Sequence, residues 1–123
     1  MKPRSAKNKG AGFQKEIAAK LAKVFNIEYD QGSDQCPIHS REMGQSGVDI
    51  LFRSKKLYDS FPFDIECKRT ESYSMPSWIE QAKANTKKGR FWGIVHRRNK
   101  EEATVTIPLD AFLFLISKLD IEV

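Results

Sequence analysis

The chain has 123 residues, of which 40% are apolar and 30% are charged, so it is long enough for one domain with one hydrophobic core. No apolar run approaches the ~18 residues of a membrane span, and no basic segment leads into an apolar one at the start, so we expect neither a membrane helix nor a secretory signal. Two cysteines, Cys36 and Cys67, are too few for a disulfide scaffold and are typical of a reducing cytoplasm.

The net charge of +5 is unevenly distributed along the chain. Residues 1–23 carry seven Lys or Arg and one Glu, a charge of +6, whereas the remaining 100 residues carry −1. A second basic segment, residues 83–100, has seven basic side chains and no acidic one. Two separate basic segments on an otherwise balanced chain are typical of a protein that binds a polyanion. Two solvated faces that keep a protein soluble would give the same pattern.

The first part of the chain predicts a basic arm, a helix, a short strand and a long loop. Residues 1–10 are polar, basic and without periodicity, so we expect a flexible arm. Apolar residues then recur at helical spacing, which predicts a helix with one apolar stripe; the stripe begins with Phe13, Ile17 and Leu21. Residues 27–30 are predicted as a strand, and residues 31–47, rich in Gly, Ser and Pro, as an exposed loop.

The rest of the chain predicts strands and helices in alternation. The predicted elements are strands at residues 48–53 and 61–68, a helix at residues 77–88, a hairpin of strands at residues 91–96 and 103–107, and an apolar helix at residues 110–119. Ser77 and Glu80 form a capping box for the middle helix, and Gly89 is its stop signal. This order predicts an α/β fold in which helices flank a mixed central sheet.

The polar side of the strand at residues 61–68 carries the residues that indicate chemistry. Glu66 and Lys68 are two positions apart, so both side chains project from the same side of the strand. A carboxylate can hold a divalent cation, and an ammonium can stabilise the charge of a reacting phosphate. Asp49 would lie beside Glu66 if the two strands formed a hairpin, and two carboxylates with a backbone carbonyl are typical Mg²⁺ ligands. An ordinary surface ion pair between Glu66 and Lys68 would give the same pattern.

The segments around these residues resemble the PD-(D/E)XK nuclease superfamily, and within it most closely the archaeal and phage Holliday-junction resolvases. The similar segments are a basic lead into a first helix (NKGAGFQKEIAAKL), a Ser-Gly-x-Asp entry that ends at Asp49, and Ile-Glu-Cys-Lys at residues 65–68. The resemblance extends over residues 9–108 and implies a restriction-endonuclease-like αβββαβ core within a single domain, residues 11–123. It departs from the superfamily pattern at Val48, where a proline usually precedes the metal-binding aspartate.

The resemblance implies metal-dependent hydrolysis of DNA phosphodiesters, with Mg²⁺ as cofactor and Mn²⁺ as a substitute. The residues that it assigns to catalysis are Glu16, Asp49, Glu66, Lys68 and Gln81. The metal ligands that it implies are Asp49, Glu66, the backbone carbonyl of Cys67 and, directly or through water, the first-helix acid Glu16. Lys68 would be the catalytic lysine, and the products would carry 5′-phosphate and 3′-hydroxyl ends.

Several of these residues have simpler interpretations. Glu16 precedes a lysine by four positions, as in an ordinary helix ion pair, and Gln81 suits a polar position on an amphipathic helix. Asp64 shares the side of Glu66 and is expected to be an exposed strand residue rather than a further acid of the site. Some resolvases use a serine in the loop before the metal aspartate, and here this would be either Ser40 or Ser46.

The predicted function is a structure-selective endonuclease that resolves Holliday junctions. A small core suits recognition of DNA by shape and phosphate contacts more than by sequence. The side chains expected on the sugar-phosphate backbone are Lys2, Arg4, Lys7, Lys9, Arg69, Lys87, Lys88, Arg90, Arg97 and Arg98. The alternatives are a general phage or repair nuclease of the same superfamily, acting on flaps, nicks or duplex DNA, and a basic DNA-binding module without catalysis.

The last predicted helix indicates a homodimer. Resolution of a junction needs two cuts related by a two-fold axis, so a symmetric pair of small nucleases is the economical solution. Residues 111–116 (AFLFLI) are apolar all round, and at ~100° per residue they cannot all face one sheet. At least one large side chain should therefore point outward, unless the segment is a buried strand or a helix covered by the chain's own N-terminal region.

Overall fold

The computed structural model describes residues 3–42 and 47–123, with side chains from Lys9 onward within these ranges. Its elements in chain order are α1 (Pro3–Val24), β1 (Ile38–Ser40), β2 (Ile50–Phe52), α2 (Lys55–Ser60), β3 (Phe63–Arg69), α3 (Met75–Asn85), β4 (Phe91–Arg97), β5 (Thr104–Thr106) and α4 (Leu109–Ser117). The fold is of the predicted α/β class. None of the helices in the described part of the chain is long and apolar enough to cross a membrane.

The strands form two sheets that meet at Asp49. β1 and β2 pair antiparallel, while β3, β4 and β5 form a second sheet in that order. β3 and β4 are parallel and joined through α3, and β5 returns antiparallel to β4. The backbone N–H of Asp49, just before β2, donates to the carbonyl of Ile65 in β3 at 3.0 Å. This bond links the two sheets and takes the place of the longer hairpin expected between the strands around residues 48–53 and 61–68.

The apolar stripe of α1 packs against both sheets. Phe13 and Ile17 are buried, as their spacing predicts, in one cluster with Ile38 of β1, Ile50 of β2 and Ile65 of β3. Burial of each large apolar side chain stabilises the fold by roughly 1.5–3 kcal/mol. This packing against both sheets therefore stabilises α1 more than the helix propensity of its residues does.

The helix α1 begins earlier than the sequence predicts. The backbone of residues 3–10 is helical, whereas its polar composition predicted a flexible arm over residues 1–10. Proline is favoured in the first turn of a helix, where its missing N–H is not needed, so Pro3 is a suitable start. Arg4, Lys7 and Lys9 therefore belong to the first turns of α1, and Lys2 lies outside the described residues.

The segment between α1 and β2 differs most from the prediction. Residues 27–30 are irregular, and the strand lies instead at β1, inside the segment that the composition predicted as an exposed loop. Ile38 and Ser40 of β1 are both buried, because the alternation of inward side chains against α1 outweighs the loop-forming residues around it. The connection after β2 contains α2, which is capped by Ser54, whose hydroxyl accepts from the Leu57 N–H at 3.2 Å.

The helix α3 starts two residues before its predicted first residue. Its N-cap is Ser74, and the Ser77 hydroxyl donates to the Ser74 carbonyl at 2.9 Å, so the predicted capping box does not form. The helix ends at Asn85, and Gly89 turns the chain into β4 with φ +85°, a conformation that favours glycine. The bounds of β4, β5 and α4 agree with the predicted ones to within two residues.

Candidate active site

Two buried carboxyl groups meet where β2 approaches β3. Asp49 is 3% exposed and Glu66 is 2% exposed, and Asp49 lies close enough to raise the pKa of Glu66. The approach is fixed by the bond from Asp49 N–H to the Ile65 carbonyl and by the Cys67 backbone N–H, which donates to Asp49 Oδ2 at 2.7 Å. The sequence therefore predicted correctly that Asp49 lies beside Glu66, although two hydrogen bonds between Asp49 and β3 hold it there rather than a hairpin.

Burial dominates the electrostatics of this pair. Burial, the largest cause, and the neighbouring Asp49 together raise the pKa of Glu66 to about 7, although Asn85 and Lys68 oppose the rise. The amide Nδ2 of Asn85 donates to Glu66 Oε1 at 2.9 Å. Two buried carboxylates side by side repel each other and lack the hydration that they would have in water. A cation between them would remove both penalties.

The helix α3 supports Glu66 and Lys68 from one side of the sheet. Lys68 follows Glu66 by two positions on β3, and its Nζ donates to Oε1 of Gln81 at 2.8 Å. Gln81 and Asn85 are one turn apart on α3, so they face Lys68 and Glu66 respectively. The structure thus brings together four of the five predicted catalytic residues: Asp49, Glu66, Lys68 and Gln81.

Glu16, the fifth predicted catalytic residue, is bound elsewhere. Its two carboxylate oxygens each accept from the Arg97 guanidinium at 2.7 Å, and Lys20 lies at 3.4 Å, the simple helix pair that the sequence also allowed. Arg97 holds the pKa of Glu16 below its ordinary value. Arg97 shares the side of β4 with Val95, which packs in the α1 core, whereas Glu66 faces α3. Glu16 therefore does not join the carboxylate pair.

Cys67 contributes its backbone to the site and its side chain to the core. The thiol packs beneath α1, and burial raises its pKa, so it stays a neutral apolar group. Of the two candidate loop serines, Ser40 is buried in β1, paired in register with Ile50, and Ser46 lies outside the described residues. Neither placement assigns a serine to catalysis.

Two polar residues of the site were not predicted from the sequence. Arg41 donates from Nη2 and Nε to Asp49 Oδ1 at 2.6 and 3.2 Å, and its backbone N–H donates to the Asp49 carbonyl at 2.7 Å. Arg41 directly follows β1, and it was missed because the composition of residues 31–47 predicted an exposed loop there. Asn85 was missed although it lies four residues after Gln81, the spacing that places two side chains on one helix face.

Asp64 is buried, which corrects the expectation that it is exposed. Its Oδ1 accepts from Nε of Arg90 at 2.8 Å, and its Oδ2 accepts from the Lys87 backbone N–H at 3.1 Å. Arg90 also donates to the carbonyls of Tyr58 and Phe61 at 2.7 and 2.9 Å, and its side chain is 8% exposed. A buried charge must be paired, and these contacts pair both residues. Arg90 was therefore wrongly expected to contact DNA.

The remaining predicted DNA-binding residues divide by exposure. Lys9, Lys87 and Lys88 are exposed. Arg98 is half-buried and lies 3.5 Å from Glu101. The side chains of Arg69 and Arg97 are only 12% and 25% exposed, and they donate to Asn99 and Glu16 respectively. The three lysines are thus the most accessible of these residues.

Comparisons of the chain with protein-family models, with curated proteins and with solved structures find no match. In residues 3–42 and 47–123, no group of three or more His, Cys, Asp or Glu side chains is arranged to hold a metal ion. The carboxylate pair of Asp49 and Glu66 nevertheless fits a hard divalent cation such as Mg²⁺, which prefers oxygen ligands and is usually held by one or two carboxylates. Beside that pair, Lys68 supplies one positive charge.

Proposed function

We propose that the protein is a Mg²⁺-dependent endonuclease that hydrolyses phosphodiesters of branched DNA, most specifically a Holliday-junction resolvase. The observation that carries the proposal is the buried, interacting pair Asp49 and Glu66 with Lys68 on the same side of β3. The resemblance of residues 65–68 and of the entry to Asp49 to PD-(D/E)XK nucleases supports it. So does the parallel β3–α3–β4 unit, which follows the order implied for that core. We expect the protein to act in the cytoplasm.

Each polar residue of the site has a role in this proposal. Asp49, Glu66 and the Cys67 carbonyl would hold Mg²⁺, and Mn²⁺ in its place. When bound, the ion supplies positive charge that stabilises the pentavalent phosphate and the leaving oxygen. Lys68 Nζ donates to a non-bridging phosphate oxygen as negative charge develops there. Gln81, whose amide oxygen accepts from Lys68, orients this ammonium before the substrate arrives.

Glu16 does not enter the proposed metal site. Its two bonds to Arg97 would have to break before its carboxylate approached the pair, and its side of the sheet is that of the α1 core. Within the proposal, Glu16 instead fixes the Arg97 guanidinium at the end of β4.

Contacts to DNA are proposed to be electrostatic and independent of base sequence. The exposed Lys9, Lys87 and Lys88 lie in the two basic segments, and such residues position a duplex through its phosphates. A nuclease that recognises the shape of a branch needs contacts of this kind and no sequence-reading domain.

We propose that the second partner is another copy of the same chain. Leu109, Phe112 and Leu113 of α4 are 70%, 52% and 52% exposed, at the spacing that forms one apolar stripe. The opposite side of α4 faces the protein, where Ala111 is buried and Phe114 packs on Phe91 with ring centroids 5.7 Å apart. α4 is thus a helix and not a buried strand. A junction has two-fold symmetry, and one site makes one cut. We therefore propose that a second copy of the chain covers this stripe and forms a C2 homodimer.

The test is cleavage of a labelled four-way junction and of linear duplexes with the same arm sequences, each with Mg²⁺ and with EDTA. The proposal predicts cutting of the junction in Mg²⁺ only, and none by Glu66→Gln. Glu80→Gln, a matched change at an exposed position of α3, should cut normally. Equal cutting of the linear duplexes would favour a general nuclease of the same superfamily. Tight binding of both DNAs without cutting would favour a non-catalytic DNA-binding module.

A further inference from the structure

Arg41 occupies the position of a cation on the carboxylate of Asp49. We propose that Arg41 is a counter-cation that a divalent metal must displace from Asp49, so that Arg41 lowers the metal affinity of the free protein while it keeps Asp49 in place. This inference rests on the proposed function, because it takes Asp49 as a metal ligand. Arg41 is in this sense a positioning residue: it acts on the site through Asp49.

Both carboxylate oxygens of Asp49 already accept hydrogen bonds from the protein. Oδ1 accepts both Nη2 and Nε of Arg41, at 2.6 and 3.2 Å, and Oδ2 accepts the Cys67 backbone N–H at 2.7 Å. The side chains of Arg41 and Asp49 are 18% and 4% exposed, so water screens their attraction poorly. Glu66, by contrast, accepts one side-chain hydrogen bond from the described residues, and its donor is the neutral amide of Asn85.

A metal and Arg41 compete for the same oxygen. Mg²⁺ binds carboxylate oxygens at about 2.0–2.1 Å, and an Arg41 nitrogen already stands 2.6 Å from Oδ1. Both ions on Oδ1 would place two positive charges within a few ångströms of each other at a largely buried position. Either the guanidinium leaves Oδ1 or the metal binds more weakly, and both outcomes make Arg41 unfavourable to metal binding.

A cavity beside Arg41 can accommodate the displaced guanidinium. Arg41 lines a cavity of about 310 Å³ together with Lys15, Gln31 and Glu42. The backbone N–H of Arg41 stays bonded to the Asp49 carbonyl at 2.7 Å, so only the side chain needs to turn. Glu42, the adjacent residue, offers a second carboxylate in that cavity. Displacement therefore requires no disruption of β1.

The inference is tested by titrating the DNA-free protein with Mg²⁺ in a calorimeter. Arg41→Ala should bind Mg²⁺ more tightly than wild type by at least about tenfold, the factor that corresponds to one charge-assisted hydrogen bond, because Asp49 Oδ1 accepts two such bonds from Arg41. In EDTA, Arg41→Ala should melt at a lower temperature than wild type, because Asp49 loses its partner, and Mg²⁺ should raise its melting temperature more. Lys15→Ala removes the same charge from the same cavity without touching Asp49, and should leave Mg²⁺ affinity within about twofold of wild type.

The outcomes separate this inference from the proposed function. Equal or weaker Mg²⁺ binding by folded Arg41→Ala, with junction cutting by wild type intact, would overturn the role of Arg41 alone. Absence of Mg²⁺ binding by wild type would overturn both. If Arg41→Ala does not fold, Arg41→Gln keeps a donor without the charge and should show the same rise in affinity, while Arg41→Lys should stay near wild type. Failure of Arg41→Gln to bind more tightly would count equally against the inference.

Discussion

The side-chain amide of Asn85 donates a hydrogen bond of 2.9 Å to Oε1 of Glu66 across the interface between α3 and β3. One turn earlier on the same helix, Gln81 accepts from Lys68 at 2.8 Å. Residues four apart on a helix and two apart on a strand are both separated by roughly 6–7 Å, so the two elements match in spacing. The carboxyl and the ammonium of the candidate site are therefore held by a second element, which distinguishes them from an exposed ion pair on a sheet.

Loss of any of the three central groups should remove cleavage and spare binding. We predict that Asp49→Ala, Glu66→Ala and Lys68→Ala each abolish cutting of a four-way junction in Mg²⁺, because these groups serve the metal and the transition state. Junction affinity should persist, and removal of a carboxylate should strengthen it by easing repulsion from phosphate. Gel-shift and cleavage assays on the same preparations measure both effects. Wild-type turnover by any of the three would contradict the assignment.

Asn85 should set the pH at which the site works. Its bond lowers the pKa of Glu66, which burial raises to about 7, so Asn85→Ala should raise that pKa further. Because a metal binds the ionised carboxylate, the acid limb of the pH–rate profile should move to higher pH. The rate at high pH should largely recover. A profile that falls evenly at every pH would mean that Asn85 only supports the fold, and Glu80→Gln supplies the matched control on α3.

The metal-free protein should lose stability as the pH rises towards neutrality. Glu66 has a pKa raised from 4.5 to about 7, so between these values the unfolded chain ionises first and folding becomes less favourable. The stabilisation present below pH 4.5 should therefore fall by up to about 3 kcal/mol by pH 8. Urea unfolding in EDTA at pH 5 and pH 8 measures it, with Glu66→Gln as the reference that lacks this titration. If the free energy of unfolding changed with pH equally in both proteins, ionisation of Glu66 would not be the cause of the loss.

Added Mg²⁺ should reverse this loss at high pH. A ligand that binds only the folded state stabilises it by RT ln(1 + [L]/Kd), which amounts to about 2.7 kcal/mol at one hundred times Kd. We expect Mg²⁺ to raise the melting temperature of wild type strongly at pH 8, weakly at pH 5, and hardly at all in Glu66→Gln. Addition of EDTA should return the wild-type value. An equal rise in the variant would indicate metal binding away from Glu66.

The local sequence predicted the elements that have strong periodicity. The stripe through Phe13 and Ile17 identified α1, and the alternation through Ile65 identified β3, because burial of one face leaves a repeat in the sequence. The same alternation predicted that Glu66 and Lys68 share a side. It could not reveal that α3 and the turn after it cover this side, so Asp64 was expected in solvent although it is buried against Arg90.

The ion pairs that the sequence did not predict join residues that are distant in the chain. Arg90 is 26 residues from Asp64, and Arg97 is 81 residues from Glu16, and nothing local predicts either pair. Composition also misled where packing overrides it, as at Ile38, whose strand lies among Gly, Ser and Pro. Within the basic segment of residues 83–100, some side chains form ion pairs inside the fold and others are exposed, and only the structure shows which are which.

Replacement of the exposed lysines Lys87 and Lys88 should have a different effect from replacement of the nearby buried Arg90. Lys87 and Lys88 are exposed, so replacing both by Ala should weaken DNA binding and reduce the slope of log K against log salt by up to about 1.8. Arg90→Ala should instead destabilise the fold by about 3–5 kcal/mol, because it leaves Asp64 buried and unpaired. Binding titrations over a salt series and urea unfolding compare the two. An unchanged salt slope in the double variant would mean that these lysines only solubilise the protein.

The apolar stripe of α4 should determine the oligomeric state and the number of cuts. Phe112 and Leu113 are half exposed side by side, and water contact over such a stripe is unfavourable unless another surface covers it. We predict that wild type sediments as a dimer at micromolar concentration and that Phe112→Glu sediments as a monomer, because a buried interface does not tolerate an unpaired charge. Val105→Glu places the same charge on an apolar β5 residue that is 60% exposed, and it should remain a dimer.

The consequence for cleavage follows from symmetry. A dimer places one metal site on each side of the junction axis, so wild type should linearise a plasmid that extrudes a cruciform by cutting both strands in one encounter. The monomeric Phe112→Glu should cut one strand at a time and accumulate the nicked circle, while Val105→Glu should give the linear product. Gel electrophoresis of the plasmid over time separates these forms. A wild-type monomer that remains monomeric on the junction would end the paired-cut model and favour a nuclease that makes single nicks.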